Sequence, residues 1–227
     1  RDVPRNGRLL VFERGDDGWQ TLWDFRPELQ DVRLGERVFV VDWDLDGAPE
    51  VAATFELHDD RWLTIHRLGD ADPIELLDPQ QDTGGQFGAQ LASGYLTDAV
   101  RGVVGSPGST SLADVLPRGR VFFMDEHGDV DRVVRGAELN AEFGQALDVL
   151  ARPEFFDVAV IGSRRANEII VMDLGLGARA RIALDGTVQF GFSLAVSEPL
   201  ADGTRRLFVG DPGHGFGDGR VHVLRIR

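Results

Sequence analysis

A β-propeller built from four-stranded blades is the fold class this chain predicts, and three observations predict it. Four segments open alike: LGERVFVVDWDLDG from Leu34, FGAQLASGYL from Phe87, FGQALDVLA from Phe143 and FGFSLAVSE from Phe190. They recur at intervals of roughly 50 residues, a period that marks an array of supersecondary units. Each opening is followed by short apolar runs, and the 28 Gly and 10 Pro fall largely between those runs, as strands joined by turns require.

The first residues, 1–30, read as a partial blade. GRLLVFERG and GWQTLWDF match the third and fourth strands of a unit. Residues 34–80 form a full blade: the Leu34 segment, PEVAATFEL from Pro49, DRWLTIHRLG from Asp60 and DPIELLDP from Asp72. Residues 87–140 repeat it with QFGAQLASG, RGVVGSPG, GRVFFMDEHG and DVDRVVRG. Residues 143–187 repeat it again, the later strands being FFDVAVIGS, NEIIVMDLG and RARIALDG. Residues 190–227 supply three strands, ending in RRLFVGDPG and GRVHVLRIR. Four antiparallel strands joined by Gly-rich turns make one propeller blade. The tally is four to five blades. Either GWQTLWDF completes the last unit in a small ring, or the chain is an excerpt of a larger ring such as a seven-bladed one. The second is preferred, because a terminal half-blade leaves a poor edge.

At 227 residues, 42% of them hydrophobic, the chain can bury a sizeable core. Its net charge of −14 disfavours nucleic acid and anionic lipid and suits a divalent cation or a basic partner. There is no Cys, so disulfide and thiolate chemistry are excluded, and all 24 basic residues are Arg. No apolar stretch is long enough to span a membrane. The opening RDVPRNGRLL has no signal-peptide pattern and Arg1 is not an initiator, so the chain reads as a mature or trimmed form.

Several short elements recur in fixed order. The FG dipeptide is Phe87-Gly88, Phe143-Gly144 and Phe190-Gly191, with Leu34-Gly35 as a degenerate copy. Turns follow at Gly105-Ser106-Pro107, Gly162-Ser163-Arg164 and Gly210-Asp211-Pro212, with Ala53-Thr54 in the first unit. GR strand starts are Gly7-Arg8, Gly119-Arg120 and Gly219-Arg220. In this order the pattern resembles the FG-GAP repeat of integrin α-type propellers and of many bacterial surface proteins. The FG aromatic is expected to wedge between blades, and its glycine to allow close approach or a positive φ.

The chemistry-bearing segment is Asp42-Trp43-Asp44-Leu45-Asp46-Gly47-Ala48-Pro49-Glu50. Carboxylates at loop positions 1, 3, 5 and 9 converge when the loop curls, Gly47 permits the bend, and the Ala48 carbonyl can add an oxygen. An irregular all-oxygen shell suits Ca²⁺ and fits the rigid octahedron of Mg²⁺ poorly. The metal ligands predicted are therefore Asp42, Asp44, Asp46, Ala48 and Glu50. The loop resembles the Ca²⁺ loop of FG-GAP blades, with Glu50 where that family more often has Asp. The other units have lost the site: one keeps only Asp98, one has Glu154 and Asp157 at unsuitable spacing, and one has Glu198 and Asp202 beside Leu200 and Arg206. One Ca²⁺ per chain is expected.

Other features carry less. Arg14-Gly15-Asp16 spells a tripeptide that integrins recognise, but in ERGDDGW it reads as a polar hairpin turn. His58, His66, His127, His214 and His222 show no metal-ligand spacing, and no nucleophile elbow is present. Trp19, Trp23, Trp43 and Trp62 read as blade packing, with Trp43 partly exposed in its loop. The function expected is a calcium-stabilised, non-enzymatic adhesion module. It would recognise a protein or glycan through loops 106–118 and 211–219, around Ser106, Asp211 and His214. No catalytic residue is assigned. The resemblance implies an extracellular, cell-surface or periplasmic location. The alternatives are an accessory or catalytic propeller of an extracellular hydrolase or lyase, and a structural scaffold.

Overall fold

A computed structural model of the chain describes residues 7–28, 32–57, 60–69, 72–79, 85–110, 116–152 and 155–226. His58, Glu154 and residues 111–115 of the 106–118 loop lie outside them. The described residues are all-β apart from one 3-10 turn at His214–Phe216, and the strands predicted from the sequence are all present.

The strands form consecutive antiparallel meanders. β1 (Leu9–Gly15) pairs with β2 (Gly18–Phe25). The second sheet is β3 (Val32–Val41), β4 (Glu50–Leu57), β5 (Asp60–His66) and β6 (Ile74–Leu77), in that order. The third is β7 (Gln90–Ser93), β8 (Gly102–Ser106), β9 (Arg120–Met124) and β10 (Val130–Arg135). The fourth is β11 (Phe143–Leu150), β12 (Val158–Ser163), β13 (Glu168–Asp173) and β14 (Ala178–Ala183). The fifth is β15 (Ser193–Val196), β16 (Arg205–Asp211) and β17 (Arg220–Ile226). β2 pairs with β1 and packs on the second sheet, so it does not complete the fifth as the small-ring alternative required.

Burial explains the composition of each strand. β8, β9 and β12 are buried along their whole length and read as continuous apolar runs. β10 and β14 are mostly exposed edges, and carry Asp131, Arg132, Arg135, Arg179 and Arg181, charges that blunt edge-to-edge pairing.

One apolar core joins each sheet to the next. Leu9 and Trp23 meet Leu34, Val51 and Phe55; Leu63 and Ile65 meet Phe87 and Phe122. Phe123 meets Phe143 and Ile161, and Val160 and Ile169 meet Phe190 and Leu207. In each core the FG-position side chain belongs to the later sheet and reaches into the earlier one. Phe87, Phe143 and Phe190 are at most 1% exposed, and full burial of such a side chain is worth about 1.5–3 kcal/mol.

The FG glycine serves the same contact. Gly144 has φ +87°, and a Cβ there would stand 2.8 Å from the Arg120 carbonyl oxygen. A bulge follows it in β11, between Phe143 and Ala146, and the matching bulge in β3 lies between Leu34 and Val38. The turn and GR glycines are the reciprocal half. A Cβ on Gly105 would run into the Gly144 carbonyl, and one on Gly119 into the Phe143 backbone. A parallel bridge joins Gly119 to Phe143. These repeated glycines therefore mark backbone-to-backbone crossings between sheets.

Candidate metal centre

The acidic loop spans the β3–β4 hairpin, whose closing pair is Val41 and Glu50. Eight residues must turn the chain, and two of them take left-handed backbone: Leu45 at φ 62° and Gly47 at φ 92°. The tightness brings carboxylates together. One ligand oxygen from each of Asp42, Asp44 and Glu50 lies within 4.8 Å of the others, the closest such group among the described residues.

Each carboxylate has one oxygen used by the loop itself. Asp42 Oδ2 accepts the Gly47 N–H (3.1 Å), Asp44 Oδ1 accepts the Asp46 N–H (3.2 Å), and Glu50 Oε2 accepts the Trp43 N–H (2.6 Å). What remains points inward. Asp42 Oδ1 is buried with no hydrogen-bond partner. Asp44 Oδ2 is ion-paired with Arg67, whose Nε stands 3.9 Å from Glu50 Oε1. Glu50 is almost fully buried. Burial pushes its carboxyl above the ordinary range, the Trp43 N–H pulls it back, and the charges of Asp42 and Asp46 raise it again.

Asp46 is not part of this group. Asp46 is exposed, and its Oδ1 accepts the Ala48 N–H at 2.7 Å, an Asx turn that shapes the loop. Of the five predicted ligands, the structure gathers Asp42, Asp44 and Glu50. A buried carboxylate oxygen without a hydrogen-bond partner and a donor set made of hard oxygens only together fit a hard divalent cation. Arg67 now supplies part of the positive charge.

Trp43 differs from the sequence expectation. It is fully buried, not partly exposed: its ring lies over Gly102 at the start of β8, and its Nε1 donates to the Glu126 carbonyl at 3.0 Å. The acidic loop is thereby keyed into the third sheet. Trp19 departs in the other direction, being 71% exposed on β2, although it was expected to pack.

In each of the corresponding loops an arginine side chain folds back onto backbone carbonyls. Arg101 donates to the Thr97 carbonyl (2.5 Å) and the Asp98 carbonyl (2.9 Å). Arg152 donates to the Phe156 carbonyl (2.5 Å) and to Asp173 (2.7 Å). Arg205 donates to the Ser197 carbonyl at 3.1 Å. A guanidinium carries five N–H donors and can satisfy several such acceptors at once. Asp98 accepts the Tyr95 hydroxyl and Asp157 the Tyr95 and Arg152 N–H groups, so both are committed to loop geometry.

The same end of the sheets carries a cleft of about 490 Å³ between the β7–β8 and β11–β12 loops. Tyr95, Phe155, Phe156 and Leu176 line it, together with Arg152 and Asp173. Tyr95 and Phe156 lie 5.3 Å apart, and Phe155 is 66% exposed. Sequence reasoning passed over this cleft, since its residues come from three separate loops. Two of the side chains expected to bear ligand contacts are themselves closed off. Ser106 is fully buried, its Oγ bonded to the Gly85 carbonyl and to Ser109, and Asp211 is also fully buried. Arg14-Gly15-Asp16 sits at the exposed β1–β2 hairpin, as expected.

No protein-family model and no curated protein matches this chain.

Proposed function

We propose that the chain is a Ca²⁺-stabilised binding module of the FG-GAP propeller type, non-enzymatic, recognising a protein or glycan through the loops at the first-to-second-strand end of its sheets. The propeller reading is supported by neighbouring first strands: β3 contacts β7, β7 contacts β11, and β11 contacts β15. Asp148 of β11 also accepts the Val196 N–H of β15 at 2.7 Å. Such first-strand contacts and one core between each pair of neighbouring sheets are what blades set around an axis would make.

The observation that carries the binding reading is the aromatic cleft at Tyr95, Phe155 and Phe156. Monomeric folds seldom leave such rings open together, and aromatic faces beside charged groups bind sugar rings and protein side chains. The acidic loop lies at the same end, keyed to the third sheet by Trp43. Its cation stiffens that end rather than touching the ligand. An extracellular, cell-surface or periplasmic location, where Ca²⁺ is plentiful, goes with this reading.

Glycan-array binding and surface-protein capture, each with Ca²⁺ and with chelator, test this. Phe155→Ser is expected to abolish a specific signal while leaving the melting temperature unchanged. Turnover of a glycoside, ester or polysaccharide substrate, or a signal indifferent to Phe155, defeats the reading.

A further inference from the structure

Asp211 ends β16, and its side chain is fully buried. Its Oδ1 accepts the Gln189 N–H at 2.9 Å and the Val188 N–H at 3.4 Å, which orients the carboxylate. Its Oδ2 faces two imidazoles. His214 Nδ1 and His222 Nε2 each lie 3.6 Å from it. That is too long for a hydrogen bond. All three atoms are buried, and none has a hydrogen-bond partner.

Three orphaned polar atoms around one small space are rare in a folded interior. We propose that Asp211, His214 and His222 bind a divalent transition-metal ion of the Zn²⁺ class. Two ligands on one tetrahedral ion, with bonds of about 2.0–2.1 Å, stand about 3.3 Å apart. The two carboxylate-to-imidazole separations are close to that. Imidazole nitrogen with a single carboxylate suits Zn²⁺, Ni²⁺ or Cu²⁺ and not Ca²⁺, so this site and the acidic loop select different ions.

The third edge of the triangle must close. Among the described residues only the Asp42, Asp44 and Glu50 atoms all lie within 4.8 Å of one another, so the imidazoles have to approach each other. His222 is held on β17 with the Phe190 ring edge-on at 5.3 Å. His214 is the ring that would have to move. It is the more exposed ring, and it opens a short turn between Gly213, Gly215 and Gly217, the last two with φ of +64° and +106°. Binding would pin this glycine-rich loop to the fifth sheet and leave a fourth position for water or an outside donor. The spacing escaped sequence reading because its members come from a strand end, a turn and the next strand.

The test is titration of the chelator-treated full chain with Co²⁺ and Zn²⁺ at neutral pH, read by calorimetry and by the visible bands of Co²⁺. One ion per chain is expected, with binding weakened at least about tenfold in His214→Gln, unchanged in Asp42→Asn and undiminished by excess Ca²⁺. His222→Gln is expected to weaken binding likewise, and circular dichroism checks that it folds. His214→Gln, on the open turn, serves if His222→Gln does not fold. Absence of uptake, uptake indifferent to His214, or uptake lost in Asp42→Asn overturns the proposal.

Discussion

The ring of Trp43 occupies the space over Gly102, so a methyl group on Gly102 would collide with the indole. This contact joins the acidic loop of the second sheet to the first residue of β8 in the third. Gly102→Ala is expected to cost about 1–3 kcal/mol through overpacking and to weaken Ca²⁺ uptake, because Trp43 shares the loop with Asp42 and Asp44. Thermal unfolding with and without Ca²⁺ measures both effects. A variant as stable as the parent would show that the loop is not keyed there.

Ca²⁺ itself is expected to raise the melting temperature, since a ligand at about 100 times its Kd adds about 2.7 kcal/mol. Asp44→Asn removes that rise, whereas Asp202→Asn, in the fifth-sheet loop, keeps it. Arg67→Ala is expected to tighten Ca²⁺ binding, because the guanidinium now paired with Asp44 competes for the same oxygen. Calorimetry on the three variants decides. Unaltered affinity in Asp44→Asn would remove the β3–β4 loop from consideration.

His66 sets an acid limit on stability. Its ring lies 5.2 Å from Trp23 and 4.3 Å from Phe25, and burial pulls its pKa from 6.5 down to about 4. The unfolded chain takes up the proton first. The stability contributed is therefore whole above pH 6.5 and is lost as pH falls toward 4, in full about 3 kcal/mol. Glu50 and Asp148 act in the opposite sense, because burial pushes their carboxyls up and the folded chain holds their protons longer. His66→Phe is expected to flatten the fall in stability between pH 6.5 and 4. Denaturant unfolding at a series of pH values measures it, and an unchanged slope contradicts it.

Phe143 bridges the third and fourth sheets. Phe143→Ala is expected to destabilise by about 3–5 kcal/mol and lower Tm by on the order of 10 °C. Val130→Ala, on the exposed edge strand β10, stays within about 0.5 kcal/mol. Equal effects of the two in a melting experiment would refute the wedge role.

Much of this was legible in the linear chain. Strand periodicity, the FG pairs and the four alternating acids are local signals, and each rests on neighbours a few residues apart. They determined the all-β class, the order of the seventeen strands among the described residues and the loop that gathers Asp42, Asp44 and Glu50, but left Gly88, Gly144 and Gly191 open between close approach and a positive φ. Asp46 and Trp43 were less legible. A carboxylate in a curling loop either faces the centre or caps an N–H, and an indole either projects or packs. Which occurs depends on what stands opposite.

Only the tertiary structure decided what stands opposite. It set Trp43 over Gly102, paired Arg67 with Asp44, and paired Arg152 with Asp173. It opened a cleft from three loops and turned two imidazoles toward Asp211. The physical reason is range. Hydrogen-bonded turns and strand alternation are written in adjacent residues, whereas the partner of a buried charge or ring arrives from a strand or loop distant in sequence, and packing of one sheet on the next selects it.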